Sequence, residues 1–379
     1  MRTKFAVALA ALAAALPARA RAQASDALYS RWNVVSGFEL RGYSFTRLDS
    51  TFALSSMSQW NIPVIAVAPL GRKMSADLIT HVAGATVNTG GLSQTLSGLT
   101  DTQLRLLYTL GRDRAVASVS FNLPTGQHSV STSAFQVAGA VASNYLSFPI
   151  SNFGTAFGVT GGLAYAVPAG IWNLGLSGSV RYLGSYSPFS DQSISYKPGV
   201  EVRFRGGADR LIGENSRLLL GLTASTFSTD EFTGSGTIPS GTYSPGARFI
   251  GDAGYVRALG RSSISLAAWD YYRLAGANND TTNLQSKENV LNVEVRYATP
   301  AALRLTLEPM VGFRQWSPAN YRGGRMYSVG ATARYGFSDQ FSGSLEGRFD
   351  TGNVNVRPVG RGHANLTGYG LTLFLRYQR

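Results

Sequence analysis

The chain has 379 residues, with 34 Lys and Arg against 21 Asp and Glu, a formal net charge of +13 and no cysteine. Charged residues make up only 15%, compared with about 25% in an average soluble domain. The lack of cysteine excludes a disulfide framework and a cysteine-based metal site, and an aromatic content of 11% argues against a disordered chain. A helical membrane protein needs apolar runs of about 20 residues, and none occurs after residue 25.

The first 24 residues have the pattern of a secretory signal peptide. Arg2 and Lys4 precede an apolar stretch, Phe5–Leu16, that is too short to span a bilayer. An A-x-A cleavage site follows at Ala22-Gln23-Ala24. Cleavage there removes four cations and no acid, so that the net charge falls from +13 to +9. The pattern predicts export, with residues 25–33 as a short periplasmic segment and residues 34–379 as one folded domain.

Beyond residue 25 the hydrophobic pattern has a period of two. In Asp101–Arg112, Leu104, Leu106 and Tyr108 share one face, and Arg105 lies on the other. The same alternation recurs in residues 289–297, 303–314, 327–337 and 369–377. This pattern predicts β-strands with one apolar face.

The breaks between these segments are alternately short and long. Short ones are predicted at residues 71–74, 111–114, 168–170, 209–215, 259–261, 299–301 and 338–339, and long ones near 48–58, 89–100, 124–150, 187–193, 231–242, 277–286, 317–325 and 352–363. Long hairpins with tight turns at one end and longer loops at the other are typical of outer-membrane β-barrels. The sequence therefore predicts an all-β, antiparallel, up-and-down transmembrane barrel of about 16 strands, with 12 or 14 left open, short periplasmic turns and long extracellular loops. A soluble β-sandwich is the alternative. The barrel is favoured for an exported chain of this pattern, because a sheet that crosses a membrane must close on itself to pair all its backbone groups.

Aromatic residues concentrate near the ends of the predicted strands. They include Trp60, Trp172, Trp316, Tyr43, Tyr165, Tyr186, Tyr196, Tyr297, Tyr327 and Tyr377. Such positions predict the interfacial girdles of a membrane barrel, and ordinary core aromatics are the alternative.

The polar faces of the predicted strands carry more arginine than acid. These faces are expected to line the lumen, because a charge facing lipid costs about 2–4 kcal/mol at the bilayer midplane. The arginines are Arg41, Arg105, Arg181, Arg203, Arg205, Arg217, Arg296, Arg304, Arg314, Arg334, Arg348 and Arg376, and the acids are Glu39, Glu201, Glu294, Glu308, Glu346 and Asp350. Rings of arginine select anions. Alternatively, each arginine pairs with a neighbouring acid, as Arg203 with Glu201 or Arg296 with Glu294, and stiffens the wall.

The long loop at residues 124–150 is the second candidate site. Its Ala- and Val-rich part, Ser133–Leu146, predicts a short helix. A loop that folds inward would narrow the pore. A surface hairpin or lid outside the barrel is the alternative.

Two short segments resemble a family of outer-membrane channels. Residues 97–105 read SGLTDTQLR, and residues 122–126 read NLPTG at the end of a predicted strand. They resemble the phenol meta-pathway (MetA-like) transporters, which are distantly related to the FadL-type transporters of hydrophobic compounds. The resemblance implies passive uptake of small hydrophobic or aromatic compounds, and its motif residues are Gly98, Asp101, Pro124, Thr125 and Gly126. The N-terminal plug of FadL-type proteins is not expected, since strands begin near Val34.

Catalytic chemistry has little support in the sequence. Asp77 and His81 share a strand face, which leaves a barrel-embedded hydrolase as an alternative, whereas His128 and His363 are isolated. No nucleotide-binding or metal-ligand spacing occurs, so no cofactor and no metal are expected. The dispersed basic charge of an exported chain argues against nucleic-acid binding.

These observations together predict a non-enzymatic channel in the outer membrane of a Gram-negative-type bacterium. It is expected to take up small solutes passively, either hydrophobic or aromatic compounds or carboxylate-bearing ones. A general anion-preferring porin, a barrel-embedded hydrolase and a structural or adhesive barrel remain alternatives. The expected partners are outer-membrane lipid, a small-molecule solute and the barrel assembly machinery, and the expected state is a monomer or a homotrimer.

Overall fold

The computed structural model describes residues 31–47, 53–111, 114–234, 240–278, 286–319, 322–355 and 362–379. Most of them lie in one antiparallel sheet that closes on itself. Its first strands are β1 (Asn33–Arg47), β2 (Leu54–Pro69), β3 (Met74–Thr89), β4 (Leu92–Leu99), β5 (Thr102–Leu110), β6 (Ala115–Leu123), β7 (Gly158–Ala169) and β8 (Trp172–Leu183). The others are β10 (Glu201–Ile212), β11 (Ser216–Phe227), β14 (Arg248–Leu259), β15 (Ser262–Arg273), β17 (Glu288–Ala302), β18 (Leu305–Pro318), β19 (Gly323–Gly336), β20 (Phe341–Asn355) and β21 (His363–Gln378). The predicted signal peptide lies outside the described residues.

The two ends of the chain close the sheet. β1 pairs with β2 on one side and with β21 on the other, in a register that runs from Asn33 opposite Gln378 to Arg47 opposite Ala364. β4 and β5 lie end to end along β3 and count as one strand of the wall, which therefore has 16 strands. The predicted closed, antiparallel, up-and-down β-barrel is confirmed.

Tight turns join the strands at one end of the barrel. Gly170, Gly213 and Gly260 have φ angles of 61°, 62° and 65° in three of these turns, a backbone conformation that glycine adopts without strain. Two predicted breaks are wrong. Residues 89–100 are mostly strand β4, which follows a two-residue turn at Gly90 and Gly91, and the break predicted at 299–301 lies at Leu303 and Arg304, because β17 continues to Ala302.

A β-bulge interrupts the wall between β4 and β5. Val82 of β3 pairs with Leu99, and Ile79 pairs with Gln103, so that three residues of one strand face two of the other. β6 ends opposite the bulge, where Leu123 pairs with Thr102. The chain leaves the wall at this point.

Four strands of the wall continue beyond a break into a second sheet at the end with the longer loops. It consists of β9 (Ile194–Lys197), β12 (Asp230–Gly234), β13 (Gly241–Ser244) and β16 (Ala277–Asn278). At the break, a Cβ on Gly199 or Gly246 would lie 2.0 Å from the carbonyl oxygen of Ser228 or Leu274, respectively. Only glycine fits at these two positions.

The outer surface of the barrel is apolar. Outward-facing side chains that are at least half exposed include Leu163, Leu176, Phe204, Leu222, Val311, Tyr327 and Val329. A band of this kind, alternating with polar inward residues, is typical of a wall that faces lipid.

Candidate pore constriction

Residues 124–157, here called the inner segment, leave the wall after β6 and return to it at β7. They contain helix α1 (Thr132–Val141), which ends earlier than the predicted helix Ser133–Leu146. The side chain of Ser131 caps this helix by accepting a hydrogen bond from the amide of Ala134 at 3.3 Å. Among the described residues, no helix is both long and apolar enough to cross a bilayer.

The inner segment lies inside the barrel. Val137, Val141, Tyr145 and Phe148 are at most 3% exposed and belong to one hydrophobic cluster with the inner faces of β1–β4 and β19–β21. The wall residues of this cluster are Tyr43, Phe45, Met57, Ala83, Ala85, Val87, Leu96, Met326, Val354, Ala364 and Leu366. Burial of each large apolar side chain contributes about 1.5–3 kcal/mol. The inner segment therefore covers one side of the lumen, and the wall around β8, β10 and β14 lies on the other.

Polar side chains of the wall bind the irregular backbone of the inner segment. The Gln59 amide donates to the carbonyl of Ile150 at 2.7 Å and accepts from the Ile150 amide at 2.8 Å. The Tyr43 hydroxyl donates to the carbonyl of Leu146 at 2.7 Å. Gln59 and Tyr43 are 0% and 1% exposed. Buried backbone groups without partners are costly, so these bonds fix the path of the segment.

Two arginines from distant parts of the chain also bind the backbone of the inner segment. Arg41 donates to the carbonyl of Ser147 at 2.8 Å. Arg314 donates to the carbonyl of Tyr145 at 2.9 Å and to the side-chain oxygen of Asn292 at 3.0 Å. Both residues were predicted to line the lumen, and the structure places them against the inner segment.

The inner segment itself carries no Asp, Glu, Lys or Arg. Many of the charged residues of the barrel wall form two groups on different strands.

The first group lies on β17–β20. Arg296 contacts Glu294 at 2.6 Å, Glu346 at 3.0 Å and Glu308 at 3.6 Å. The remaining pairs are Arg334–Glu308 (3.0 Å), Arg348–Asp350 (2.7 Å) and Arg348–Glu294 (3.5 Å). Three arginines here share four acids, so this group carries no cationic surplus. The structure thus brings these predicted lumen residues together as a paired network.

The second group lies on β8, β10 and β14. Arg181 and Arg203 share a single acid, Glu201, at 3.9 and 2.5 Å, and Arg205 forms a two-point pair with Asp252 at 2.8 and 3.0 Å. The guanidinium carbon of Arg248, on the same strand as Asp252, lies 4.5 Å from the centre of the Phe227 ring. Four arginines here face two acids, so that this wall has a surplus of positive charge.

The other predicted arginines lie elsewhere. Arg105 pairs with Asp77, and Arg217 pairs with Asp209. Arg376 bonds to Asn33 and Gln378 near the chain termini, and the predicted lumen acid Glu39 accepts from Asn61 at 2.5 Å. The prediction for Arg304 is corrected: it lies in the turn between β17 and β18, with a φ of 64°, and not on a strand face.

Two predicted girdle residues are inside the barrel. Tyr43 is buried under the inner segment, and Trp316 stacks on Tyr145 with ring centroids 5.8 Å apart. Tyr43 lies two residues from Arg41, and this alternation already assigned both to the same face. Sequence reasoning also missed Gln59, because nothing in the local pattern distinguishes it from other inward polar residues.

The motif residues of the two family-like segments meet at the base of the inner segment. Asp101 lies in the bulge, Pro124 follows the end of β6, and Gly126 donates its amide to the Asp101 carboxylate at 3.2 Å. Thr125 bonds to the backbone on either side of Asp101. A Cβ on Gly98 would lie 3.4 Å from the side chain of Gln127.

His81 and Asp77, which share a strand face, contact different partners. The His81 ring bonds to Asn61 at 3.1 Å, and Asp77 is engaged by Arg105. In the described part of the chain, no serine or threonine hydroxyl is bonded to this ring, and no group of three or more His, Cys, Asp or Glu is placed to hold a metal ion.

Comparisons with known proteins find likeness only among solved structures. No family model matches the chain, and no curated protein matches it. An anion-selective porin from Comamonas acidovorans is similar over 92% of this chain and 98% of its own, with 10% identity and a TM-score of 0.43. A Pseudomonas aeruginosa FadL homologue is similar over 92% and 90%, with 9% identity and a TM-score of 0.46. OmpT of Vibrio cholerae, an outer-membrane protein, matches over 92% and 97% at 10% identity and a TM-score of 0.41. No residue role is carried over from proteins this distant.

Proposed function

We propose that the protein is a channel of the outer membrane, through which small solutes pass between the inner segment and the opposite wall. One observation carries this proposal. Arg181, Arg203 and Arg205 point inward, yet their side chains remain 27%, 28% and 31% exposed. Charged side chains with this exposure require water in the lumen beside them. The apolar outer band supports placement in lipid, and a monomer and a homotrimer both remain open as the assembly.

The solutes that suit this passage are small carboxylates with an apolar or aromatic body. Arg181 and Arg203 contact the same acid, Glu201, so two positive charges face one negative charge at this point of the wall. Guanidinium groups bind planar anions such as carboxylates in two-point geometry. The facing inner segment has no charge to repel an anion and offers apolar contact to the rest of the solute. An excess of fixed positive charge also raises the local concentration of anions.

Planar-bilayer recordings under a salt gradient test the proposal. We expect a reversal potential that shows anion preference, and a chloride current that millimolar benzoate reduces. The double variant Arg181→Gln, Arg203→Gln should lose both effects. Arg376→Gln removes a positive charge near the chain termini and should keep them.

Three results would point elsewhere. Cation preference of the wild-type protein contradicts the proposal. A large chloride current that benzoate does not reduce favours a general anion-preferring porin. A lack of solute flux in liposome swelling favours a structural barrel.

A further inference from the structure

One carboxylate closes the base of the inner segment. The Oδ2 atom of Asp101 accepts hydrogen bonds from the Asn122 side chain at 2.8 Å and from the amide and hydroxyl of Thr155, both at 2.7 Å. Its Oδ1 atom accepts from the amide of Gly126 at 3.2 Å. Asn122 is the second-last residue of β6, Gly126 lies near the start of the inner segment, and Thr155 lies near its end. A residue of the bulge therefore holds both ends of the segment.

The two ends of the segment touch each other at this point, here called the neck (residues 126–127 and 153–155). A Cβ on Gly126 would lie 2.1 Å from the carbonyl oxygen of Phe153, and a Cβ on Gly154 would lie 2.6 Å from the carbonyl carbon of Gln127. The backbones meet without space for a side chain. The neck thus depends on two glycines for its close approach and on Asp101 for its polar bonds.

We propose that Asp101 is the positioning residue that holds the inner segment in the lumen and thereby sets the width of the passage. This inference rests on the proposed function for its effect on transport, but the geometry of the neck stands without it. All four donors to Asp101 are uncharged, and hydrogen bonds from such donors to an ionised carboxylate are shorter and stronger than neutral ones.

An asparagine cannot replace this carboxylate. Both Asp101 oxygens accept from donors, whereas an amide has only one oxygen and presents two N–H groups on its other side. In either orientation of the amide, at least one donor of Gly126 or Thr155 faces another donor. Asp101→Asn therefore changes almost no volume and breaks the neck.

Hydrogen exchange of the folded, full-length barrel tests this directly. We expect the Ile150 amide, which is bonded to Gln59, to exchange at least about tenfold faster in Asp101→Asn, because the lost bonds normally oppose opening. Gly126→Ala should produce the same change by forcing the neck apart without removing charge. Asp209→Asn is the matched control, because it removes one wall carboxylate that does not contact the inner segment, and its Ile150 amide should exchange at the wild-type rate.

Single-channel recording then measures the consequence for transport. We expect Asp101→Asn and Gly126→Ala to conduct more than the wild type and to fluctuate between levels. Wild-type protection of Ile150 in both variants overturns the role of Asp101. If exchange is faster in both variants but neither the variants nor the wild type carry a current, the role of Asp101 in the neck is supported. The proposed channel function is contradicted in that case. Faster exchange with an unchanged current shows that the inner segment does not limit the passage and overturns that part of the inference.

Discussion

Arg314 and Tyr145 are 169 positions apart in the chain, and they are joined inside the barrel by a hydrogen bond of 2.9 Å from the guanidinium to the carbonyl oxygen. The Tyr145 ring also stacks on Trp316 of the same strand. The contact ties the inner segment to β18 through a residue outside the neck. The segment is therefore held at points that can be tested one at a time.

Replacing Arg314 by Gln should loosen the middle of the inner segment. A hydrogen bond from a charged donor contributes about 1.5–3 kcal/mol, and we expect a loss of that size in the free energy of local opening. The chain has no cysteine, so a single Ser147→Cys substitution gives a maleimide-labelling rate without background. The rate should rise in Arg314→Gln and stay unchanged in Arg334→Gln, which alters the network of β17–β20. Equal labelling rates in the Ser147→Cys protein and in its Arg314→Gln and Arg334→Gln derivatives would contradict the role of Arg314.

Replacing Gln59 by Leu should release the segment beside β2. The change keeps the approximate volume but leaves the amide and carbonyl of Ile150 without their partner, at a cost of about 1–3 kcal/mol for each buried group. Limited proteolysis should cut the inner segment faster than in the wild type. Gln315→Leu, whose amide bonds to Ser317 at 3.2 Å, is the control and should be cut at the wild-type rate.

Removing Glu201 should strengthen anion preference. Arg181 and Arg203 both contact this acid, so Glu201→Gln removes one negative charge from the wall beside two guanidinium groups. We expect the ratio of anion to cation permeability to rise by about twofold or more, measured from the reversal potential. Glu214→Gln removes an acid from an exposed turn and should leave the ratio unchanged. A lower ratio in Glu201→Gln would contradict the prediction.

The start of α1 should respond to acid. Asp191 accepts from the amide of Thr132 at 3.0 Å and from its hydroxyl at 2.7 Å, and these bonds lower the pKa of Asp191 below its ordinary value. A lowered pKa means that the stabilisation is complete above the ordinary value of the group and is lost as the pH falls through the depressed pKa.

Hydrogen exchange at residues 132–137, corrected for the intrinsic pH dependence of exchange, measures this effect. Protection of the wild type should be constant above about pH 5 and should fall below about pH 4. Asp191→Asn should show, at every pH, the reduced protection that the wild type shows at acidic pH. Asp339→Asn, which alters another exposed aspartate, should behave as the wild type.

Two glycines of β20 should differ sharply when each is replaced by alanine. A Cβ on Gly352 would lie 2.0 Å from the carbonyl oxygen of Arg325, whereas a Cβ on Gly347 meets nothing within 4 Å. Gly352→Ala should lower the free energy of unfolding in urea by about 1–3 kcal/mol, and Gly347→Ala should lower it by less. Equal stability of the two variants would contradict the packing seen here.

The sequence predicts the wall of the barrel well, because the period-two pattern and the glycine-marked turns are local signals. The prediction of a long loop at residues 89–100 is wrong, because Gly90 and Gly91 make a tight turn at the end of the barrel where long loops were expected. The inward face of Arg181, Arg203 and Arg205 also follows from alternation alone.

The position of the inner segment is not encoded by a local signal. Gln59 binds Ile150 and Arg314 binds Tyr145 across separations of 91 and 169 residues, and no pattern within a strand encodes such pairs. The motif resemblance drew attention to Asp101 and Gly126, but their meeting at the neck depends on the bulge between β4 and β5. The choice between an inward loop and a surface hairpin also needed the structure, because an uncharged, Ala-rich helix suits both.

The wall surface on which the inner segment packs includes residues from both ends of the chain. Tyr43 on β1 and Leu366 on β21 belong to the same hydrophobic cluster. It is complete only after β1 has paired with β21. We therefore expect the inner segment to reach its final position only after β21 has paired with β1. Docking of the inner segment would then report that the barrel has closed. A chain that lacks β21 also lacks part of the surface against which residues 124–157 pack.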